Sequence, residues 1–332
     1  LHVGLPTGGG RAPSLDLTRQ LLTQRARDLG AAVEIVPGDP APGWLYGRVG
    51  TDAPPPPTAI CRRPTTTGRP VLIAGHLDTV HDPDGPFREL VIAPDSRRAV
   101  GPGCVDMKGG LVIAMAALEC LDACDERLSW TLLLNSDEET GSYHSQRAIY
   151  EEATRVAKAD GVGVALEPAG AGGELIVERA GSGQFCIDVR GRAAHVGRDF
   201  ASGVSAVTAL ARLIVKLSSL SRPEAQTIVN IGPMQGGHAT NVVPDHARAW
   251  GNVRFPTPEA AVALEAQLRG ICNTEMAAVA GLHIEVFTSF IRAAKPATDQ
   301  TMHLAHLARQ ACEDLGQQLP FGKTAGVCDG NI

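Results

Sequence analysis

Val71-Leu-Ile-Ala-Gly-His76-Leu-Asp78 is an apolar run that ends on an imidazole and a carboxylate. A continuous aliphatic run of this kind reads as a strand buried on both faces. Side chains at the carboxyl ends of such strands are the ones an α/β sheet offers to ligands. Three further stretches end on acids. They are Gly103-Cys-Val-Asp106-Met-Lys-Gly-Gly110, Trp130-Thr-Leu-Leu-Leu-Asn135-Ser-Asp137-Glu138-Glu139-Thr140-Gly141 and Val162-Gly-Val-Ala-Leu-Glu167-Pro168. Imidazole and carboxylate oxygen are donors for divalent cations. Four such run-ends in under a third of the chain point to a hydrolytic metal centre.

Outward from these runs, leucines and arginines at 14–29 alternate with helical period. Gly109–Leu121 and Ser142–Thr154 read as helices, Trp130–Leu134 and Val162–Leu166 as buried strands, and Trp44–Val49 as a strand between proline-rich connections. Strand alternating with helix predicts an α/β layer with a mainly parallel sheet. Beyond Gly181-Ser-Gly183 the pattern changes. Strands are expected at Gln184–Arg190, Thr227–Ile231, Ala247–Phe255 and Leu282–Phe290, with helices at Ser202–Leu220 and Pro258–Cys272. This β-α-β-β-α-β order is that of a ferredoxin-like α+β sandwich. It predicts an inserted domain at 182–292, with 1–181 and 293–332 forming the metal-binding domain. A last helix runs from Thr298 to about Leu315, before the glycine-rich Gly326-Val-Cys-Asp-Gly-Asn-Ile332.

The chain of 332 residues is long enough for one large or two moderate domains. Aromatics are only 4%, so the core must be mainly aliphatic. A net charge of −6 and the lack of a basic run speak against nucleic acid or an anionic membrane as partner. No apolar stretch reaches the roughly 20 residues that span a bilayer. Leu1-His-Val-Gly4 does not read as a signal peptide, and it lacks an initiator methionine. Cys120 and Cys124 are expected to be two small buried thiols on one helix face rather than a metal clip. Free thiols fit a reducing cytoplasm.

Residues i and i+2 of an extended segment point the same way, so His76 can face a metal while Asp78 holds its other ring nitrogen. A strand-end histidine beside a capping aspartate is the bland alternative. Asp106 lies in a glycine-flanked turn before a helix, where a carboxylate can bridge two cations or simply cap the helix. Three adjacent acids at 137–139 repel one another without a cation nearby. One can ligate while its neighbour acts as general base; a solvated acidic turn is the alternative. Glu167 completes the set, or is an exposed strand-end acid.

In this order and spacing the motifs resemble the co-catalytic zinc exopeptidases and amidohydrolases. That family includes glutamate carboxypeptidase, aminoacylase, acetylornithine deacetylase, succinyl-diaminopimelate desuccinylase and peptidase T. The resemblance implies two Zn2+ per subunit, with Co2+ or Mn2+ as substitutes. It implies His76 and Glu167 as ligands of one zinc, Glu139 as ligand of the other, and Asp106 as the bridge, followed by a cis bond to Met107. Asp78 would orient His76, and Glu138 would be the general base. In the inserted domain, Gly191-Arg-Ala-Ala-His195-Val-Gly197 resembles the motif whose histidine reaches the partner subunit's site in a homodimer built through 182–292. Gly236-Gly-His-Ala-Thr-Asn241 resembles the segment carrying a substrate-binding asparagine, with His238 a loop residue. Asn252-Val-Arg254 resembles the strand whose arginine binds a substrate carboxylate, and Lys295 before Pro296 would be a second cation for such a group.

The family's last histidine ligand, expected after the glycine-rich loop, has no counterpart before Ile332. His303 and His306 precede that loop and read as surface helix residues. The second zinc is therefore expected to bind weakly to the chain as given, which reads as truncated at its C-terminal end. The implied activity is hydrolysis of an amide or peptide bond next to a free carboxylate, in a small peptide or N-acyl amino acid. The segments Leu77-Asp-Thr-Val80, Pro86-Phe-Arg88 and Asn135–Ser142 are most similar to the glutamate carboxypeptidase branch. An N-acyl-amino-acid deacylase and a non-enzymatic dimeric relative are the alternatives.

Overall fold

The computed structural model describes residues 5, 7–8, 12–47, 54–65, 68–95 and 97–332. Its central sheet is built from β1 (Ala32–Val36), β2 (Thr58–Arg63), β3 (Val71–His76), β6 (Trp130–Asn135) and β7 (Val162–Ala165), in the order β1-β2-β6-β3-β7. β6 sits in the middle and is buried at all six positions. β3 runs parallel to both β6 and β7, with His76 opposite Asn135 and Ala74 opposite Ala165. The strands therefore end together, and the loops leaving them meet at one sheet edge. β1 and β2 pair antiparallel, and β2 pairs antiparallel with β6. The sheet is thus mixed, because the segments flanking the proline-rich connection, left unassigned in the sequence, supply two strands.

Helices cover both faces. α1 (Ala12–Asp28) and α2 (Lys108–Ala123) pack Leu15, Leu22, Leu111, Met115 and Leu118 against Leu132 and Leu134 of β6. α3 (Gln146–Lys158) covers the other face, where Ile149 and Val156 meet Leu133 and Leu72. Alternate β6 residues feed the two layers, as the two-residue period of a strand requires. No helix among the described residues is long and apolar enough to cross a membrane.

The second sheet comprises β9 (Gly181–Arg190), β10 (Ile228–Gly236), β11 (His246–Phe255) and β12 (His283–Arg292), in the order β10-β11-β9-β12 and antiparallel throughout. α4 (Ala206–Ser218) and α5 (Pro258–Ala278) lie on one face. Phe185, Ile187, Val189, Leu210, Leu213, Leu264 and Leu268 form its core. The ferredoxin-like order expected from the sequence is present. After β12, α6 (Asp299–Asp314) leads to β13 (Phe321–Thr324), which pairs in parallel with β8 (Leu175–Arg179). The short strands β4 (Val91–Ile92) and β5 (Ala99–Val100) form an exposed hairpin.

Two expectations are corrected. Residues 43–47 form turns rather than the start of a strand, and Arg48 and Val49 lie outside the described residues, as does Leu1–Gly4. Pro40 and Pro42 have no N–H to give a ladder, and Leu45 N donates to Pro42 O at 3.2 Å to close a turn. Trp44 and Tyr46 instead meet the second sheet. Trp44 stacks on Phe287 with ring centroids 6.2 Å apart, and Trp250 Nε1 donates to Trp44 O at 2.5 Å. Cys120 and Cys124 are exposed, not buried. α2 turns Leu111, Ala114, Met115 and Leu118 to the core, and the two thiols fall on another face.

Candidate metal centre

His76 is the last residue of β3 and is fully buried. Its Nδ1 lies 3.0 Å from the backbone oxygen of Asp78 and 3.5 Å from Asp78 Oδ1. That contact leaves Nε2 facing the sheet edge, 3.1 Å from Asp106 Oδ1 and 3.9 Å from Glu167 Oε1. The Asp78 carboxylate also accepts hydrogen bonds from the backbone of Glu138 at 3.2 Å and of Glu139 at 3.0 Å. One aspartate therefore ties the end of β3 to the loop after β6. This is more than the capping contact weighed from the sequence.

Asp106 does not cap α2. Met107 occupies the N-cap position, and no side chain caps the helix there. The Asp106–Met107 bond is cis. The 137–139 segment is not a solvated turn either, because Asp137 and Glu138 are buried. Asp137 Oδ2 accepts from His144 N at 2.6 Å, and Thr140 N and Ser142 N close onto Asp137 O. Donor atoms of His76, Asp106 and Glu139 all lie within 4.8 Å of one another. Among the described residues this is the one group of histidines, cysteines and acids tight enough to hold an ion.

The protonation equilibria reflect crowding. Burial pulls the His76 imidazole down, but hydrogen bonds to Asp106 and Asp78 outweigh it and hold it well above its ordinary value. The His76 contact lowers Asp106. Burial, opposed by Arg292 and reinforced by Asp329, pushes Glu138 up to about 8. Burial raises Glu167 to about 7 against the pull of His76, with Asp106 and Asp329 adding to the rise. Glu139 is raised by burial and by Asp106. Five carboxylates, those of Asp78, Asp106, Glu138, Glu139 and Glu167, crowd around one imidazole and are short of positive charge. One imidazole and several carboxylate oxygens suit Zn2+, Co2+ or Mn2+, so the residues present fit a divalent cation.

Two residues missed in the sequence stand behind this edge. Arg292, the last residue of β12, places Nη2 2.7 Å from Glu138 Oε1. The pair is ionic rather than well aligned, since that oxygen has no partner in hydrogen-bond geometry. Asp329 is buried, accepting from Ser142 Oγ at 2.6 Å and from Asn135 Nδ2 at 2.7 Å. Its signal was the glycine-rich loop; Arg292 had none, since the strand expected from the sequence stopped at Phe290.

A cleft of about 600 Å³ opens beside Asp106 and Glu167, lined also by Arg179, Ile176, Phe321 and Lys323. Lys295 pairs with Arg179 through two backbone hydrogen bonds of 2.9 Å. The residues expected to bind substrate from the inserted domain are not among the ion-holding group, although Arg254 lies near enough to Arg292 to feel its charge. His195 and Asn241 are exposed on neighbouring segments, joined by Val196 N donating to Asn241 O at 3.0 Å and Val243 N to Ala194 O at 2.9 Å. Arg254 is partly buried and bonds to Ser182 Oγ, Asn252 Oδ1 and the backbone oxygen of Val253. His303 and His306 are exposed on α6, the latter edge-on to Phe321.

Residues 177–280 match the family described as the peptidase dimerisation domain. Carboxypeptidase G2 of a Pseudomonas strain is 27% identical over 77% of this chain and 59% of its own length. Succinyl-diaminopimelate desuccinylase of Methylobacterium radiotolerans is 30% identical over 77% of this chain and 65% of its own. The chain thus spans less than two thirds of these curated relatives. The aminopeptidase PepT of Bacillus cereus shares the fold, with a TM-score of 0.68 at 24% identity over 95% of this chain and 80% of that one. An M20 family metallo-carboxypeptidase of Sulfolobus solfataricus does so too, with a TM-score of 0.69 at 15% identity over 99% and 86%. Residues 177–280 are thus a peptidase dimerisation domain, and the chain around them is similar to carboxypeptidase and desuccinylase relatives and shares the fold of M20 peptidases.

Proposed function

We propose that this chain is the metal-binding part of a hydrolase that cleaves an amide or peptide bond next to a free carboxylate, releasing a C-terminal amino acid. The observation that carries this is the convergence of His76, Asp106 and Glu139 within 4.8 Å at one sheet edge, with Glu138 beside them. His76, Asp106, Glu139 and Glu167 would hold two divalent cations, zinc in the first instance. When bound, such cations acidify water and polarise a scissile carbonyl.

The chain's own residues supply the rest. Asp78 holds His76 by its Nδ1 side, which would leave Nε2 to ligate a cation. The Glu138 carboxylate takes a proton from the attacking water and returns it to the leaving nitrogen. Burial of Glu138 suits that exchange, because its affinity for a proton near neutral pH allows both steps. Arg254 and Lys295 are the cations for the substrate carboxylate. His195 is exposed and acts on the site of a second subunit, and Asn241, also exposed, binds substrate. The 182–292 segment is the dimerisation and lid unit, and 1–181 with 293–332 the catalytic one. All eight cysteines are free thiols, which supports a reducing, cytoplasmic compartment.

The test is a panel of N-acyl-glutamates and glutamate-terminated dipeptides, assayed with zinc, cobalt or manganese and again with chelator. Hydrolysis that stops on chelation is expected; equal rates in both would overturn the metal mechanism. Deacylation is the second reading, favoured by the desuccinylase relative, and N-succinyl and N-acetyl substrates in the panel discriminate it. No turnover of any substrate by a metal-loaded protein would favour a non-enzymatic role. For the shared site, mixing His195→Ala with Glu138→Ala protein should restore part of the activity.

A further inference from the structure

The catalytic sheet and the second sheet are joined covalently by two strand connections, at 179–181 and 292–295. The two lie side by side: Arg179 N donates to Lys295 O and Lys295 N to Arg179 O, each at 2.9 Å. Asn331 clamps both, its Nδ2 donating to Ala180 O at 3.0 Å and to Ala293 O at 2.7 Å. This paired crossover carries the chain between the sheets, so it is where one would pivot on the other. Any residue that spans from it to the metal edge carries that pivot's position to the chemistry.

Arg292 is that residue. Its backbone ends β12 opposite Ser182 of β9, beyond a register irregularity that separates it from Ser289. Its side chain is 11% exposed and leaves the second sheet for the loop after β6. There Nη2 donates to Glu138 O at 2.7 Å and to Ser142 Oγ at 2.8 Å, and lies 2.7 Å from Glu138 Oε1. Ser142 has a left-handed backbone, with φ of 55°, and it is fully buried. It passes the contact on, donating from Oγ to Asp329 Oδ1 at 2.6 Å. Asp329 is held in turn by Asn135 at the end of β6. The 138–142 loop is thus gripped from the pivot side by Arg292 and from below by Asp329.

We propose that Arg292 is the positioning residue for Glu138. It fixes one oxygen and the backbone of that residue, so that the angle between the two sheets sets where the other carboxylate oxygen stands. The inference rests on Glu138 being the base. A planar, always charged guanidinium suits the task because it holds the two N–H of Nη2 in a fixed plane toward Glu138 O and Ser142 Oγ, whereas an ammonium on a flexible stem has no fixed direction. A misplacement of about 1 Å at a catalytic group costs on the order of 10²-fold in rate, which sets the size of the expected effect.

The experiment uses the metal-loaded full chain and three forms: unmodified, Arg292→Ala and Arg292→Lys. On the best substrate of the N-acyl-glutamate panel, Arg292→Ala should lose on the order of 10²-fold in kcat, with KM changed little. Arg292→Lys should recover less than half of that loss. Guanidinium ion at a sub-denaturing concentration should recover part of it in Arg292→Ala alone. Bound zinc, by elemental analysis, should be unchanged. Hydrogen exchange should speed up at 137–145 and stay as before in α5. Unaltered kcat, or a loss that guanidinium does not recover while exchange rises throughout the molecule, would overturn the proposal. If the unmodified protein cleaves nothing in the panel, the functional reading fails. The exchange arm then decides the brace alone: unchanged exchange at 137–145 in Arg292→Ala refutes it, and faster exchange reversed by guanidinium supports it.

Discussion

The two sheets bury carboxylates in opposite ways. In the second sheet, Asp188 is fully buried but faces Arg248, His246 at 3.1 Å and Arg190 at 3.2 Å. Burial would raise its carboxyl, yet the hydrogen bonds from His246 and Arg248 outweigh this and hold it below the ordinary range. Glu275 on α5 is likewise matched by Arg212 at 2.6 Å and Lys216 at 2.7 Å from α4. At the edge of the first sheet, Glu138, Glu139, Glu167 and Asp329 share His76 and Arg292, and all four are pushed up. A buried acid that has found its counter-charge holds a fold together. A group of buried acids short of counter-charge marks where a cation is to be supplied from outside.

The contrast can be broken most sharply at Glu138. Replacing it by Gln should lower turnover of the best panel substrate by about 10²- to 10⁴-fold and leave bound zinc nearly unchanged. A small effect would remove Glu138 from the role of base. Metal removal comes next. Adding zinc at about 100 times its dissociation constant should stabilise the native state by about 2.7 kcal/mol, seen as a rise in the thermal midpoint. His76→Ala should abolish that rise, whereas Asp188→Asn should keep it. If both variants respond alike, the crowded edge is not the cation site.

The paired acids give smaller effects. Asp188→Asn should cost about 2–3 kcal/mol in urea unfolding at neutral pH, because it strips a buried partner from Arg248 and Arg190, whose charges solvent partly screens. The sign with pH comes from the lowered carboxyl. Its stabilisation is complete above the ordinary aspartate value of about 4 and fades as pH falls through the folded value. The gap between variant and parent should therefore shrink in acid, and a gap that widened would contradict the assignment. Glu275→Gln is the mildest, about 1 kcal/mol, since its partners are half exposed.

Much of the molecule was legible beforehand for a physical reason. Buried strands such as Trp130–Asn135 need continuous apolar runs, so acids and imidazole that follow such runs, among them His76, Asp106, Glu139 and Glu167, stood out by position. β1, β2, β8 and β13 did not. Their short runs lie near prolines and glycines, and they become strands only when a neighbour's ladder is there to receive them. Arg292 and Asp329 escaped the reading of the site for the same reason, since they meet Glu138 and Ser142 from residues more than 140 positions away.

The order of residues alone determined the long helices, the continuous apolar strands, the aliphatic core and which acids follow those strands, because these depend on local period and on hydrophobicity. Only the tertiary structure decided which acids are paired and which are left crowded. Charge balance is a property of distance in space, and the parallel register of β3, β6 and β7 sets those distances.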